Sequence, residues 1–180
     1  CSPGGMVPLF GTGLTGQEPQ SATSYPLPTK LAGVQVEING NAVPLVFAST
    51  SQINLQCPLL REGSPLEITV VTAEGMLLPP VHSTMLAAAP DLFTLNGTNA
   101  NGVNQGVILI ASTNELAMPK TAGTASRPAQ PGENLTIYAT GLGETQDIVP
   151  LGTPAPSAPH ILLKNKITVV IGGMEIDPEL

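Results

Sequence analysis

The sequence predicts an all-β chain made of tandem antiparallel β-sandwich units, the second of them incomplete. Three observations carry that prediction. Glycine and proline each occur 19 times in 180 residues, which leaves little room for long helices because both punctuate regular structure. Apolar and polar residues alternate over several short segments, the period-2 signature of strands with one buried face. A block near the start also returns further along the chain, in register.

The repeat defines the units. Residues 3–14 (PGGMVPLFGTGL) align without a gap on residues 131–142 (PGENLTIYATGL), with five of twelve positions identical. After a five-residue insertion, residues 34–40 (VQVEING) align on residues 167–173 (ITVVIGG). In both later segments a β-branched or aliphatic residue falls at every second position before a turn. Val34, Val36 and Ile38 share one face, as do Ile167, Val169 and Ile171. Asn39-Gly40 and Gly172-Gly173 supply the two positive-φ residues that a two-residue hairpin turn requires.

The remaining elements follow in order. A strand at 43–48 returns from the first hairpin, and further strands are expected at 52–56, at 66–72 with a turn at Glu74-Gly75, and at 81–86. Strands about ten residues apart with Gly and Pro between them suggest a sandwich. The first unit spans residues 1–89. Residues 90–106 read as a connection, its Asn- and Gly-rich stretch 96–104 as loop. The second unit spans 107–180, opening with a strand at 107–111 and continuing through a low-complexity bridge at 118–131. By the repeat offset Leu180 corresponds to Phe47, so counterparts of residues 48–89 are missing. The second unit is expected to be truncated, and to expose apolar surface and sheet edges that invite self-association.

Composition bounds the core and the partners. Hydrophobic residues make up 42% but aromatics only 3%: Phe10, Tyr25, Phe47, Phe93 and Tyr138, with no tryptophan. The core is therefore expected to be aliphatic. Charged residues at 11% and a mean hydropathy of +0.22 argue against disorder. The net charge is −7, and the six basic residues, Lys30, Arg61, Lys120, Arg127, Lys164 and Lys166, include no adjacent pair. That excludes the basic stripe a nucleic-acid surface needs. No apolar run is long enough to span a bilayer as a helix. The first residues carry no signal-peptide pattern, and an opening Cys in place of Met reads as a trimmed N-terminus.

Four blocks taken together, Phe10-Gly11-Thr12-Gly13-Leu14, Asn39-Gly40-Asn41-Ala42-Val43-Pro44-Leu45, Ser49-Thr50-Ser51-Gln52-Ile53-Asn54-Leu55-Gln56-Cys57-Pro58 and Ala89-Pro90-Asp91-Leu92-Phe93-Thr94, carry a family resemblance. The chain resembles a C-terminal domain family borne by large secreted proteins of soil acidobacteria of the Solibacter type. Its units resemble the immunoglobulin-like IPT/TIG domains of surface receptors and secreted enzymes. The resemblance covers nearly the whole chain, and the Gln-Ile-Asn-x-Gln block is its most specific piece. It implies export, an immunoglobulin-like fold and a role as an appended module, with no catalytic residue or cofactor to carry over. Export in turn permits a disulfide between Cys1 and Cys57, the only cysteines. A lipid-anchored Cys1 is the rival reading.

Other constellations read more simply as structure. Gly11-Thr12-Gly13 and Gly141-Leu142-Gly143 each follow a strand rather than open a helix, so they read as tight turns and not as phosphate cradles. His82 lies in an expected strand and His160 in a Pro-flanked loop of the other unit, so neither forms a nucleophile and base pair. Glu175, Asp177 and Glu179 alternate near the end and line one face if extended; a cation site and a solvated face are both compatible with that. Gln52 and Asn54 share a strand face opposite Ile53 and Leu55. They serve either a sugar ligand or nearby backbone groups.

These readings describe a non-catalytic spacer or adhesion module of a larger exported protein, extracellular or at the cell surface. Its expected partners are other domains of that protein, or a surface protein or polysaccharide. The alternative is a carbohydrate-binding module appended to a secreted enzyme, with Tyr25 or Tyr138 as an exposed sugar platform.

Overall fold

The computed structural model describes residues 1–98 and 104–178, and it is all-β. Contacts divide the chain into two blocks, Cys1–Ala89 with Gly141–Leu180, and Pro90–Thr140. This differs from the expected division at 1–89, 90–106 and 107–180. The two halves of the second repeat fall in different blocks, because residues 141–152 bond back to the first unit.

The first block holds an antiparallel sandwich. One sheet orders β1 (Met6–Phe10), β7 (Gln52–Gln56), β6 (Leu45–Ala48) and β2 (Gln20–Ser21). The other orders β3 (Lys30–Leu31), β4 (Val34–Ile38), β8 (Pro65–Val71) and β9 (Val81–Thr84), with β5 (Asn41–Ala42) returning on β4. Alternation decides which side chains go in. Val34, Val36 and Ile38 of β4 and Leu66 and Val70 of β8 meet Leu45 and Ala48 of β6 and Ile53 and Leu55 of β7 in one buried cluster. Met85 and Cys57 belong to the same cluster, and no aromatic does. Fully burying an aliphatic side chain of this kind stabilises by about 1.5–3 kcal/mol.

The first hairpin turns as its sequence predicts, with Asn39 at φ 53° and Gly40 at φ 74°. Asn39 also does long-range work: its amide donates to the Pro65 carbonyl at 2.9 Å and accepts from the Glu67 N–H at 2.8 Å. That fixes where β8 begins. The second hairpin, β18 (Val169–Ile171) and β19 (Met174–Ile176), turns through Gly172 and Gly173, both at positive φ. Among the described residues β18 pairs only with β19, whereas its counterpart β4 also pairs with β3 and β8.

Within Pro90–Thr140, β10 (Asp91–Leu92) pairs β17 (Ala139–Thr140), and β11 (Thr94–Thr98) pairs β12 (Asn104–Gly106). A four-stranded sheet orders β15 (Ser126–Arg127), β14 (Leu116–Ala117), β13 (Ile108–Ile110) and β16 (Leu135–Ile137). Two expectations are corrected here. Part of the stretch 96–104 is strand rather than loop, with residues 99–103 outside the described residues. The bridge 118–131 contains β15, which pairs in parallel with β14 because Leu116 N–H reaches the Ala125 carbonyl. Among residues 90–95 and 104–140 only Ile110 and Ser126 are buried.

Cys1 and Cys57 form a disulfide, with Cα atoms 5.7 Å apart and a separation of 56 positions in sequence. It ties the start of the chain to the end of β7, where the Cys57 N–H donates to the Gly5 carbonyl. In the chain-entropy model a loop of that size contributes about 4 kcal/mol, a ceiling that real bridges often miss. Replacing both cysteines by serine is therefore expected to lower the urea midpoint of the first block by a clear margin. An unchanged midpoint in matched non-reducing buffer rules out a stabilising role.

Candidate functional site

β7 is the element from which a site can be built. Its alternation sends Ile53 and Leu55 into the core and leaves Gln52, Asn54 and Gln56 on the outer face, each half-buried. On one side, β1 pairs Met6 with Gln56, Pro8 with Asn54 and Phe10 with Gln52, and sends Val7 and Leu9 inward. On the other side, β6 brings Phe47 opposite Asn54 through a register shift, and β2 sets Ser21 beside Phe47. The four strands of this sheet contribute no ionisable side chain to the outer face.

The three amides have separate duties. Gln52 Nε2 donates to Asn54 Oδ1 at 2.7 Å, which locks the pair and leaves Gln52 Oε1 as a free acceptor and Asn54 Nδ2 as a free donor among the described residues. Gln56 works as a clamp. Its Nε2 donates to the Gly4 carbonyl at 3.2 Å, and its Oε1 accepts the buried Gly152 N–H at 2.7 Å. Gly152 in turn accepts from the Leu27 N–H at 2.7 Å. A Cβ on Gly152 would lie 3.2 Å from the Leu27 nitrogen on a backbone already at φ +75°, so this position requires glycine.

Aromatic placement is the least ordinary feature of the surface. Phe10 is 71% exposed, Tyr25 66%, Tyr138 46% and Phe93 41%, and Phe47, the fifth, is half-buried on the outer face. None of the chain's aromatics lies in the core. Composition pointed to Tyr25 and Tyr138 as exposed rings; Phe10 and Phe47 were missed, although the alternation Val7, Leu9 against Pro8, Phe10 holds the signal.

The other sequence candidates resolve as follows. His82 sits on the exposed strand β9 opposite Glu67, and His160 is exposed in a loop; neither makes a side-chain hydrogen bond among the described residues. Asp177 pairs with Lys166 at 3.0 Å and Glu175 lies opposite Val170, while Glu179 is outside the described residues. Gly11 and Leu14 donate their N–H groups to the Ser51 and Thr50 carbonyls, so that glycine pair closes a turn between strands. Gly141 likewise accepts from Ala89 N–H.

The strongest electrostatic feature is in Pro90–Thr140. Arg127 Nη1 and Nη2 form a fork on the Glu133 carboxylate at 2.9 and 2.6 Å, and its Nε donates to Glu115 at 3.0 Å. The guanidinium, together with the Gln130 N–H at 2.7 Å, holds the Glu133 carboxyl well below its usual 4.5, at about 2. An open depression lined by Ala111, Ser112, Gly132, Glu133 and Asn134 adjoins it. Its one carboxylate is already satisfied by Arg127.

No family model, curated protein or solved structure matches the chain.

Two outcomes are expected. Gln56→Ala leaves the buried Gly152 N–H without its acceptor, a loss of about 1–3 kcal/mol; the unfolding midpoint should fall and the peptide bonds around 152 should become sensitive to limited proteolysis. Glu133 has a depressed folded-state pKa, so its ionised form stabilises fully above about 4.5 and that contribution is lost as pH falls toward about 2. Protection of the amides across 126–134, relative to their intrinsic exchange rates, should fall over that window in the native chain, and show no such pH step in Glu133→Gln.

Proposed function

We propose that the chain is a non-catalytic interaction module of a larger exported protein, acting as a spacer or adhesion element that presents its surface to a partner. The observation that carries this reading is the distribution of aromatics. A folded chain normally uses phenyl and phenol rings to fill its core, since each brings a large apolar area. Here the core is closed without any aromatic residue, and the rings are left wholly or partly at the surface, where a partner can touch them. Tyr and Phe are enriched in recognition surfaces because they bring large contact area at small entropic cost.

Two further features support it. The Cys1–Cys57 bridge suits an oxidising compartment, in keeping with export as the resemblance to secreted acidobacterial modules and IPT/TIG units implies. The ionisable groups in the strongest charged cluster are spent on each other: Arg127 holds Glu115 and Glu133. Among the described residues no helix is long and apolar enough to cross a membrane. Other domains of the parent protein, a surface protein or a polysaccharide are the partners proposed. The apolar surface of the β18–β19 hairpin, with Val170 and Met174 well exposed, is a further place for self-association.

Broad screening of the purified chain against esters, glycosides and phosphates should show no turnover. Turnover that disappears with His82→Ala or His160→Ala makes the chain an enzyme and ends this reading.

A further inference from the structure

We infer that the outer face of the β1–β7–β6–β2 sheet is a binding site for a neutral polysaccharide, with Phe10 as the stacking platform and the Gln52–Asn54 pair as the hydroxyl ligands. The inference rests on the interaction-module reading and assigns it a surface and a ligand class.

The chemistry of the face selects the ligand. A sugar ring presents an apolar C–H face and a rim of hydroxyls that both donate and accept. Phe10 supplies the flat apolar partner, exposed at the end of β1 and in register with Gln52. The bond from Gln52 Nε2 to Asn54 Oδ1 orients both amides and leaves one acceptor and one donor side by side. Neighbouring hydroxyls need that combination, because each is donor and acceptor at once. An amide pair already held in place loses little freedom on binding. Phe47, opposite Asn54, extends the apolar strip across the sheet.

Charge separates neutral from acidic glycans. The four strands contribute no ionisable side chain to this face, and so no cation of the kind a uronate or sulfate would require. The partner is also unlike a protein strand added to the sheet edge. Pro8 sits in the middle of β1, an edge strand, and a proline within a paired strand turns its missing N–H toward the free edge. That interrupts the row of donors an added strand would use along this edge.

The test is affinity electrophoresis of the native, disulfide-bonded chain through gels containing soluble β-glucan, xylan, galactomannan or α-glucan, with alginate as the acidic control. Retardation by at least one neutral polymer is expected, and calorimetry with its oligosaccharides should follow. Phe10→Ala and Asn54→Ala should each weaken binding about five- to tenfold, the size of an aromatic contact or a hydrogen bond. Phe10→Tyr should retain it, with unfolding midpoints of all variants confirming an intact sandwich. Retardation by no neutral polymer overturns the inference, as does binding to alginate alone or binding indifferent to both alanine variants. Each of those results leaves a non-catalytic module with another partner, whereas turnover in the enzymatic screen removes the module reading itself.

Discussion

A slip of one residue in β7 would exchange Ile53 and Leu55, both fully buried, for Asn54 and one of its flanking amides, Gln52 or Gln56. Two side-chain amides would then enter an aliphatic core with no partners, at a cost of at least 1–3 kcal/mol for each unsatisfied group. That penalty fixes the register of a strand bonded on both sides, by β1 and by β6. Everything adjacent depends on it. Phe10 meets Gln52, Asn54 meets Phe47, and Cys57 arrives in the core at the position where it reaches Cys1. The same register aims Gln56 at Gly152, which holds residues remote in sequence against the first unit.

Much of this was legible because it is local. The alternation at 34–38 and 52–56 predicts both the strands and their buried faces, and Asn39-Gly40 predicts its own turn from the φ values those residues tolerate. The less legible parts depend on contacts between distant residues. Ala32 adopts φ 49° beside Gly33 and opens an extra hairpin between β3 and β4. Nothing in Ala-Gly announces it, because alanine does not favour that region. Thr15 Oγ1 donates to the Ala32 carbonyl at 2.6 Å and Gln20 Oε1 accepts the Ala32 N–H at 3.1 Å, and these two side chains hold the turn. The Gln56 to Gly152 bond spans 96 positions and leaves no periodic trace in the sequence.

The repeat teaches a different limit. Val36 and Ile38 are buried, while Ile171, at the place of Ile38, is exposed, although the pattern and the turn chemistry are the same. Alternation specifies that a segment is a strand with one apolar face. Burial of that face is a property of the second sheet. In the first unit β6 and β7 supply it, and β8 bonds the edge. Among the described residues β18 has neither neighbour. Sequence similarity between the copies therefore extends to backbone geometry and stops short of packing.

The outer face gains its chemistry from the poverty of the composition. With five aromatics and no tryptophan, a core of ordinary make-up would have consumed them all. Two facing sheets rich in Val, Ile and Leu close the interior without them, since β-branched and aliphatic side chains interdigitate well across a sandwich. The disulfide constrains the unfolded chain and relieves the core of supplying all of the stability. Rings that are not needed inside are costly outside only if they invite aggregation, and that cost is limited when they are scattered. Phe10 stands at the end of an edge strand interrupted by Pro8, beside amides that keep the surrounding surface wet. A single exposed ring flanked by oriented donors and acceptors suits a ligand that is itself half apolar and half hydroxyl. It offers little to a purely apolar partner.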